Sequence, residues 1–534
     1  MKTPEAINLA VENIKKEGTT DVEVFLRPFE LGMIKGKVEE QVKQNISASF
    51  KENNLKSLRV SPISYVLVPK KELFDFRKCA HIQPLDEMKY LALVLQMASK
   101  IEKARVSKSK NRVFSYRFSP QKGYLFDPRY NYTSFREHVS KCSKKKNINV
   151  VVSCDISNFY DRLNLHRLEC ILASIKGCEK KVVHQINELL LFWSNRDSYG
   201  LPVGSNASRI LAEASLIEVD NYLLSQNVDF CRFVDDYRIF AKDAATAHHW
   251  LSLLVNRLSK EGLFINTSKT EIKDVAGFGG EESESSDVVP EEAPSLDETT
   301  LNTKFNIPKI IRGYSGLIPT KFRKLTEGEG LKLRELNTLQ LIEDIQNSIV
   351  IEPKKFVQMI KFGVSQSDPI VLIESVRLLS KFPQFIPYTL DAISKREDVF
   401  SREQIDEISL LLNEWLDAGK APEFILVYIV RFFGSGRFEN KELLFDYFRK
   451  LRRNEGSYIG RAVLEQLEGL VSRGEVLEIR DYYSRADMWE KRQIARMVDL
   501  HITEGEKRPF FKNILSVEDD VFLNNIQNAF SKRA

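Results

Sequence analysis

The sequence predicts an α+β domain built around an antiparallel sheet, followed by an all-α domain. Two observations carry this. Residues 1 to about 276 mix short apolar strand runs with amphipathic helices, in the order strand, helices, strand-turn-strand, helix. After about residue 325 nearly every segment carries apolar residues at i, i+3, i+4 and i+7. Between them, residues 281–298 (EESESSDVVPEEAPSLDE) hold eight acids and no Lys or Arg. Such a stretch cannot bury enough apolar surface to fold, so 277–324 reads as an acidic linker or loop.

The chain opens on an amphipathic helical pattern, MKTPEAINLAVENIKKEG, with no continuous apolar core of a secretory signal. Strands are expected at 64–69 (SYVLVP), 148–156 (INVVVSCDI), 229–234 (DFCRFV) and 237–242 (YRIFAK). Helices are expected at 86–105, 163–175, 180–195, 204–225 and 243–261. In the second domain, segments such as PIVLIESVRLLSKF, REQIDEISLLLNEWL and QIARMVDLHI are short, amphipathic and punctuated by Pro and Gly. Paired helices of this length suggest a HEAT-like repeat array over 325–534, with a plain helical bundle as the alternative.

At 534 residues the chain is long enough for several domains and a large core. Its 43% hydrophobic and 10% aromatic content excludes a disordered protein. No apolar run approaches the roughly 20 residues of a membrane span, so no membrane partner is expected. Cys79, Cys142, Cys154, Cys170, Cys178 and Cys231 form no CxxC pair, which argues against a zinc ribbon or a disulfide framework and for a reducing cytoplasm. His248 and His249 are adjacent, so on a helix they diverge and read as surface residues. The net charge of +5 is unevenly spread. Residues 101–150 hold thirteen Lys and Arg against three Asp and Glu, interleaved with Phe114, Tyr116, Phe118, Tyr124, Tyr130 and Tyr132. That mixture suits phosphates and bases, or is a solvated basic face.

The chemistry-bearing residues are carboxylates. In DFCRFVDDYRIFAK two strand runs flank Asp235 and Asp236, which puts both acids at the tip of a rigid ribbon. The plain alternative is a turn made of ordinary turn formers. In NVVVSCDISNFYDRL, Asp155 ends an apolar run, a way of aiming one charge into a cleft; the alternative is a helix cap. Phosphoryl transfer to a hydroxyl uses two divalent ions about 4 Å apart. Two Mg²⁺ (or Mn²⁺) ions are therefore expected on Asp155 and Asp235, with the Ile156 backbone carbonyl as a further ligand and Asp236 as a secondary contact.

These residues resemble the reverse-transcriptase family over about 60–276, with motifs in family order. DISNFYD looks like motif A, GLPVGSNAS (200–208) like motif B, FVDD (233–236) like motif C and GLFINTSKTEI like motif D. The resemblance implies a palm and fingers over 1–276. It places Phe159 and Tyr160 against the incoming sugar, with Tyr160 excluding a ribose hydroxyl. Gly204 and Ser205 fall beside the nucleotide, and Lys269 is the general acid for pyrophosphate. In VPKKELFDFRKCAHIQPLDEMKY, Arg77 with Lys70 or Lys71 would hold the triphosphate. An Arg and a Lys facing two metals across a triphosphate is sound electrostatics.

Three departures narrow the resemblance. Val203 stands where templated enzymes carry Gln. Asn206 and Arg209 replace prolines. No thumb follows motif D. Palm and fingers followed by a HEAT-like domain, together with VFSYR (113–117), resemble the abortive-infection reverse transcriptases. That resemblance implies bacterial antiphage defence, template-independent synthesis from dNTPs, and priming from a protein hydroxyl. It also implies single-stranded DNA attached to the protein, and a homo-oligomer, trimer or hexamer. No priming residue can be assigned, and no tyrosine precedes Tyr65. The alternatives are an RNA-templated enzyme of retron or group II intron type and an inactive palm serving as a scaffold.

Overall fold

The computed structural model describes residues 1–51, 55–70, 76–275, 320–323, 325, 333, 338–347, 353–418, 421–451, 457–527 and 529–530. The acidic stretch 281–298 and Lys71 lie outside these residues. The described chain falls into two compact units.

The first unit takes in 1–21, 27–62 and 82–313. Its centre is a four-stranded sheet in the order β6-β7-β5-β8, formed by β5 (Val150–Asp155), β6 (Phe230–Phe233), β7 (Asp236–Ala241) and β8 (Glu271–Asp274). All its pairings are antiparallel. Val150, Val152, Cys154, Tyr237 and Ile239 are buried, while Ser153, Asp155, Asp236 and Arg238 are half-exposed. One face is thus covered and the other carries the acids, as side-chain alternation along a strand requires. A smaller hairpin, β3 (Phe118–Gln121) with β4 (Tyr124–Phe126), joins this unit.

The helices Pro84–Ala104, Leu165–Ser174, Lys180–Trp193 and Ala244–Lys260 lie where periodicity places them. The helix expected over 204–225 is instead two, Asn206–Ser215 and Ile217–Ser225, meeting at Leu216. The break matters because the first of these carries Glu213 and the second Asp220, both buried charges.

The second unit takes in 22–26, 63–81 and 314–534. It contains the hairpin β1 (Ser64–Pro69) and β2 (Phe76–His81) and a run of helices that includes Thr338–Asn347, Arg402–Ala418, Glu423–Phe432, Ile459–Leu467 and Met488–His501. The helical character expected after 325 is present. Sequence order placed the 63–81 hairpin with the first domain, whereas the compact units group it with the helices. His81 explains why. It stacks between Phe25 at 4.4 Å and Trp489 at 4.1 Å, with Tyr458 edge-on at 4.6 Å. Aromatic burial on this scale anchors the end of β2 in the helical core.

Among the described residues all six cysteines are free, and no helix is long and apolar enough to cross a membrane. His248 and His249 are exposed, in keeping with a surface role.

Candidate active site

The sheet register builds the site. Asp155, the last residue of β5, lies directly opposite Asp236, the first of β7. Directly opposed residues project from the same face, so the two carboxylates are neighbours. Phe233 pairs with Asp236, which leaves Val234 and Asp235 as a two-residue turn. The Ile156 amide donates to the Asp235 carbonyl at 3.2 Å, tying the strand after Asp155 to that turn. The predicted hairpin tip is therefore real, and all three aspartates gather at one end of the sheet.

Two cations attend the acids. Lys269 Nζ lies 3.7 Å from Asp155 Oδ2 and is largely exposed. Arg238 pairs with Asp236. The Asn266 amide donates to the Asp155 carbonyl at 2.7 Å, and the Ser157 amide donates to the Phe264 carbonyl at 2.8 Å. Motif D is thus laced to motif A through the backbone, which brings Lys269 to the carboxylates. Among the described residues no group of three or more His, Cys, Asp or Glu side chains is placed so that together they could hold a metal ion.

Motif A continues into the short helix Phe159–Arg162, entered through Asn158 at φ +46°. Phe159 and Tyr160 are buried, their rings edge to face at 5.6 Å. The Tyr160 carbonyl accepts from the Leu201 amide at 3.0 Å, and the Leu163 carbonyl accepts from the Gly200 amide at 2.9 Å. Motifs A and B are therefore joined beside Tyr160. Gly200 at φ +97° and Gly204 at φ +111° sit in backbone that favours glycine. Val203 is buried at 3% exposure.

Ser205 departs from its expected nucleotide role. Its hydroxyl donates to Glu87 Oε1 at 2.6 Å and accepts from the Ala207 amide at 3.1 Å, at 2% exposure. The side chain caps the helix and is spent inside the protein. Asn206, Ser208 and Arg209 are likewise held from within. Asn206 Nδ2 donates to Asn13 at 3.1 Å and to Glu17 at 2.9 Å. Ser208 shares a hydrogen bond with Tyr90 at 3.1 Å, and Arg209 pairs with Asp21 and lies 5.0 Å from the Tyr116 ring centre. Sequence reasoning missed Asn13, Glu17, Asp21, Glu87 and Tyr90. For Asn13, Glu17, Glu87 and Tyr90 the local signal is a polar group on a largely apolar helix; Asp21 lies outside any helix and carries none.

The basic, aromatic stretch 101–150 is corrected in part. Arg105 and Arg117 are buried and pair with Glu102 and Glu213; Phe114, Tyr116 and Phe118 are core. The outward charge that remains is Lys103, Lys110, Lys122, Arg129, Arg136, Lys141 and Lys144 to Lys146. The triphosphate candidates Lys70 and Arg77 lie on the β1–β2 hairpin, with Arg77 paired to Val68 in the strand register.

No curated protein matches. Among solved structures, telomerase from Candida albicans is similar at 13% identity and TM-score 0.30, over 83% of this chain and 70% of that one. Telomerase from Candida tropicalis gives 14% and 0.29, over 69% of this chain and 64% of that one. Likeness at this level carries no argument. Residues 76–287, which hold motifs A to D, match the family model described as reverse transcriptase (RNA-dependent DNA polymerase). The chain therefore contains a reverse-transcriptase domain and is a nucleotidyltransferase of that type.

Proposed function

We propose that this protein is a DNA polymerase that extends from dNTPs without copying a template, priming on a hydroxyl of the protein itself. Its setting would be abortive-infection defence in a bacterial cytoplasm, as a homo-oligomer whose second unit is a HEAT-like scaffold. The observation that carries the template-free reading is motif B. Val203 offers no polar group where a templated enzyme places Gln, and the polar side chains that follow are spent on Asn13, Glu17, Asp21, Glu87 and Tyr90.

The donor set suits hard divalent ions. Asp155, Asp235 and the Ile156 carbonyl offer only oxygen, and Asp236 adds charge. Magnesium takes one or two carboxylates and completes its shell with water and substrate phosphate, so a closed protein cage is not needed. Bound there, two Mg²⁺ or Mn²⁺ ions would activate the attacking hydroxyl and steady the departing pyrophosphate. Lys269 stands next to Asp155 and would give its proton to the pyrophosphate. Tyr160 and Phe159 would form an apolar wall against the sugar. The Gly204 backbone would allow close approach of the nucleotide, and Arg77 with Lys70 or Lys71 would hold the triphosphate.

The test is to mix the pure protein with Mg²⁺ and labelled dNTPs without template or primer, then treat with protease or nuclease. Label should migrate with protein until proteolysis. Asp235→Asn with Asp236→Asn should reduce incorporation to background while the fold persists; retained activity would sink the metal assignment. A second reading, RNA-templated synthesis, is favoured by the description of the matching family. Incorporation that appears only with an RNA template would establish it instead.

A further inference from the structure

Behind the Val234–Asp235 turn lies a fully buried ionic cluster that the reaction scheme above does not use. Arg232, on β6, lies with its Nε 2.8 Å from Asp220 Oδ1 and its Nη2 2.7 Å from Asp220 Oδ2. The same guanidinium reaches Glu213 Oε2 at 2.9 Å. Glu213 also receives Arg105 Nη2 at 2.5 Å and the Ser115 hydroxyl. Tyr237 donates its hydroxyl to Asp220 at 3.2 Å. Arg232, Ser115, Glu213 and Asp220 are each no more than 1% exposed. The cluster is nearly balanced in charge and hydrogen-bonded, the condition under which buried ions persist.

Two members reach the backbone of the turn. The Val234 amide donates to Ser115 Oγ at 2.9 Å, and Arg232 Nη1 donates to the Val234 carbonyl at 3.0 Å. Val234 sits at φ +54°, which a β-branched residue rarely adopts. Strained backbone persists only where its surroundings over-determine it. Here both polar groups of the strained residue are taken by the cluster. The segment carrying Ser115 is itself fixed alongside β6, since the Phe114 amide donates to the Arg232 carbonyl at 3.0 Å and the Arg232 amide to the Arg112 carbonyl at 2.7 Å.

We propose that Ser115, Glu213 and Arg232 are positioning residues that clamp Val234 in its left-handed conformation and so aim Asp235 at a divalent ion. The inference rests on reading Asp235 as a metal ligand. Ser115 takes no part in that chemistry; it acts through the turn. Outer partners of metal ligands typically affect metal affinity by about ten- to a hundredfold.

The experiment is a Mn²⁺ titration of the full chain followed by electron paramagnetic resonance, with a melting curve for each variant. Ser115→Ala should weaken Mn²⁺ binding about tenfold or more while the melting temperature stays close to wild type. Val234→Gly removes the strain that the clamp opposes, so adding Ser115→Ala to Val234→Gly should cost less than about threefold. Unchanged Mn²⁺ affinity in Ser115→Ala overturns the proposal, as does the same loss in both backgrounds. If Ser115→Ala unfolds, the same prediction is read from Ser115→Cys, which keeps the side chain's bulk but replaces the hydroxyl with a weak acceptor, against Ser115→Cys with Val234→Gly. Wild-type protein that binds no Mn²⁺ would instead sink the metal reading itself.

Discussion

Glu87 is fully buried beside the start of the motif B helix, and burial pushes its carboxyl up to about 8, opposed by the Ser205 hydroxyl and the Arg209 charge. It therefore enters the fold protonated near neutrality. The consequence for stability has a definite sign. The folded-state value lies above the ordinary 4.5, so the folded protein holds a proton that the unfolded chain releases. That contribution is complete below about pH 4.5 and is lost as pH rises to about 8, at up to about 1.4 kcal/mol per pH unit. Glu87→Gln keeps the shape and the acceptor for Ser205 while removing the titration. Urea unfolding at pH 6, 7 and 8 should show wild type losing stability more steeply than Glu87→Gln, and the two curves running parallel would refute it. No local pattern announced this residue. A glutamate in PLDEMKY reads as an ordinary acid in a helix's first turn, favourable to the dipole. Only the fold reveals that a residue 118 positions later caps it.

The helix Asn206–Ser215 shows the same logic on a larger element. Its first turn is clamped by the N-terminal helix Thr3–Glu17 and by Asp21, through Asn13, Glu17 and the Asp21–Arg209 pair. Arg209 and Asp21 are 8% and 7% exposed, so removing one leaves a nearly buried charge without its partner. Asp21→Ala should cost about 3 kcal/mol, and Asp21→Ala with Arg209→Met should recover most of it. Chemical denaturation of the four members of the cycle measures this; additive losses would refute the clamp. The contrast with β5, β6 and β7 explains what the sequence could disclose. Alternating apolar residues mark a strand locally, and a carboxylate closing such a run stands out locally, so the placement of Asp155, Asp235 and Asp236 at strand ends was legible. The cluster behind them was not, because Glu213 meets Arg105 across 108 positions and Val234 meets Ser115 across 119. The available hint was charge inside apolar elements: Glu213 in ILAEAS and Arg232 in FCRF. Ser205 was legible only in part, since a serine at a loop–helix junction fits both a ligand contact and a cap, and the fold shows the cap.

Chain order and compact structure disagree over the β1–β2 hairpin, and the disagreement has a physical cause. Val66 and Val68 are buried, and β1 packs against the helix Glu423–Phe432 of the same compact unit. The Leu26 amide donates to the Tyr458 hydroxyl at 3.3 Å, and Arg431 Nη2 donates to the Val24 carbonyl at 2.6 Å. The ring stack Phe25–His81–Trp489 completes the anchor. Within it His81 is held neutral, its imidazole pushed down to about 3 by burial and by the Arg461 charge. Two short segments, 22–26 and 63–81, therefore draw their core from residues more than 340 positions away, which no local pattern can encode. The hairpin that carries Lys70 and Arg77 depends on the helical unit for its order. A fragment ending at Gly313 strips Phe25 and His81 of Tyr458 and Trp489, and Val66 and Val68 of their helix. An isolated two-stranded hairpin is marginal in water. Limited proteolysis with mass spectrometry should find cleavage within 63–81 early in the fragment and late, or not at all, in the full chain. Equal protection in both would mean that the hairpin draws its stability from elsewhere.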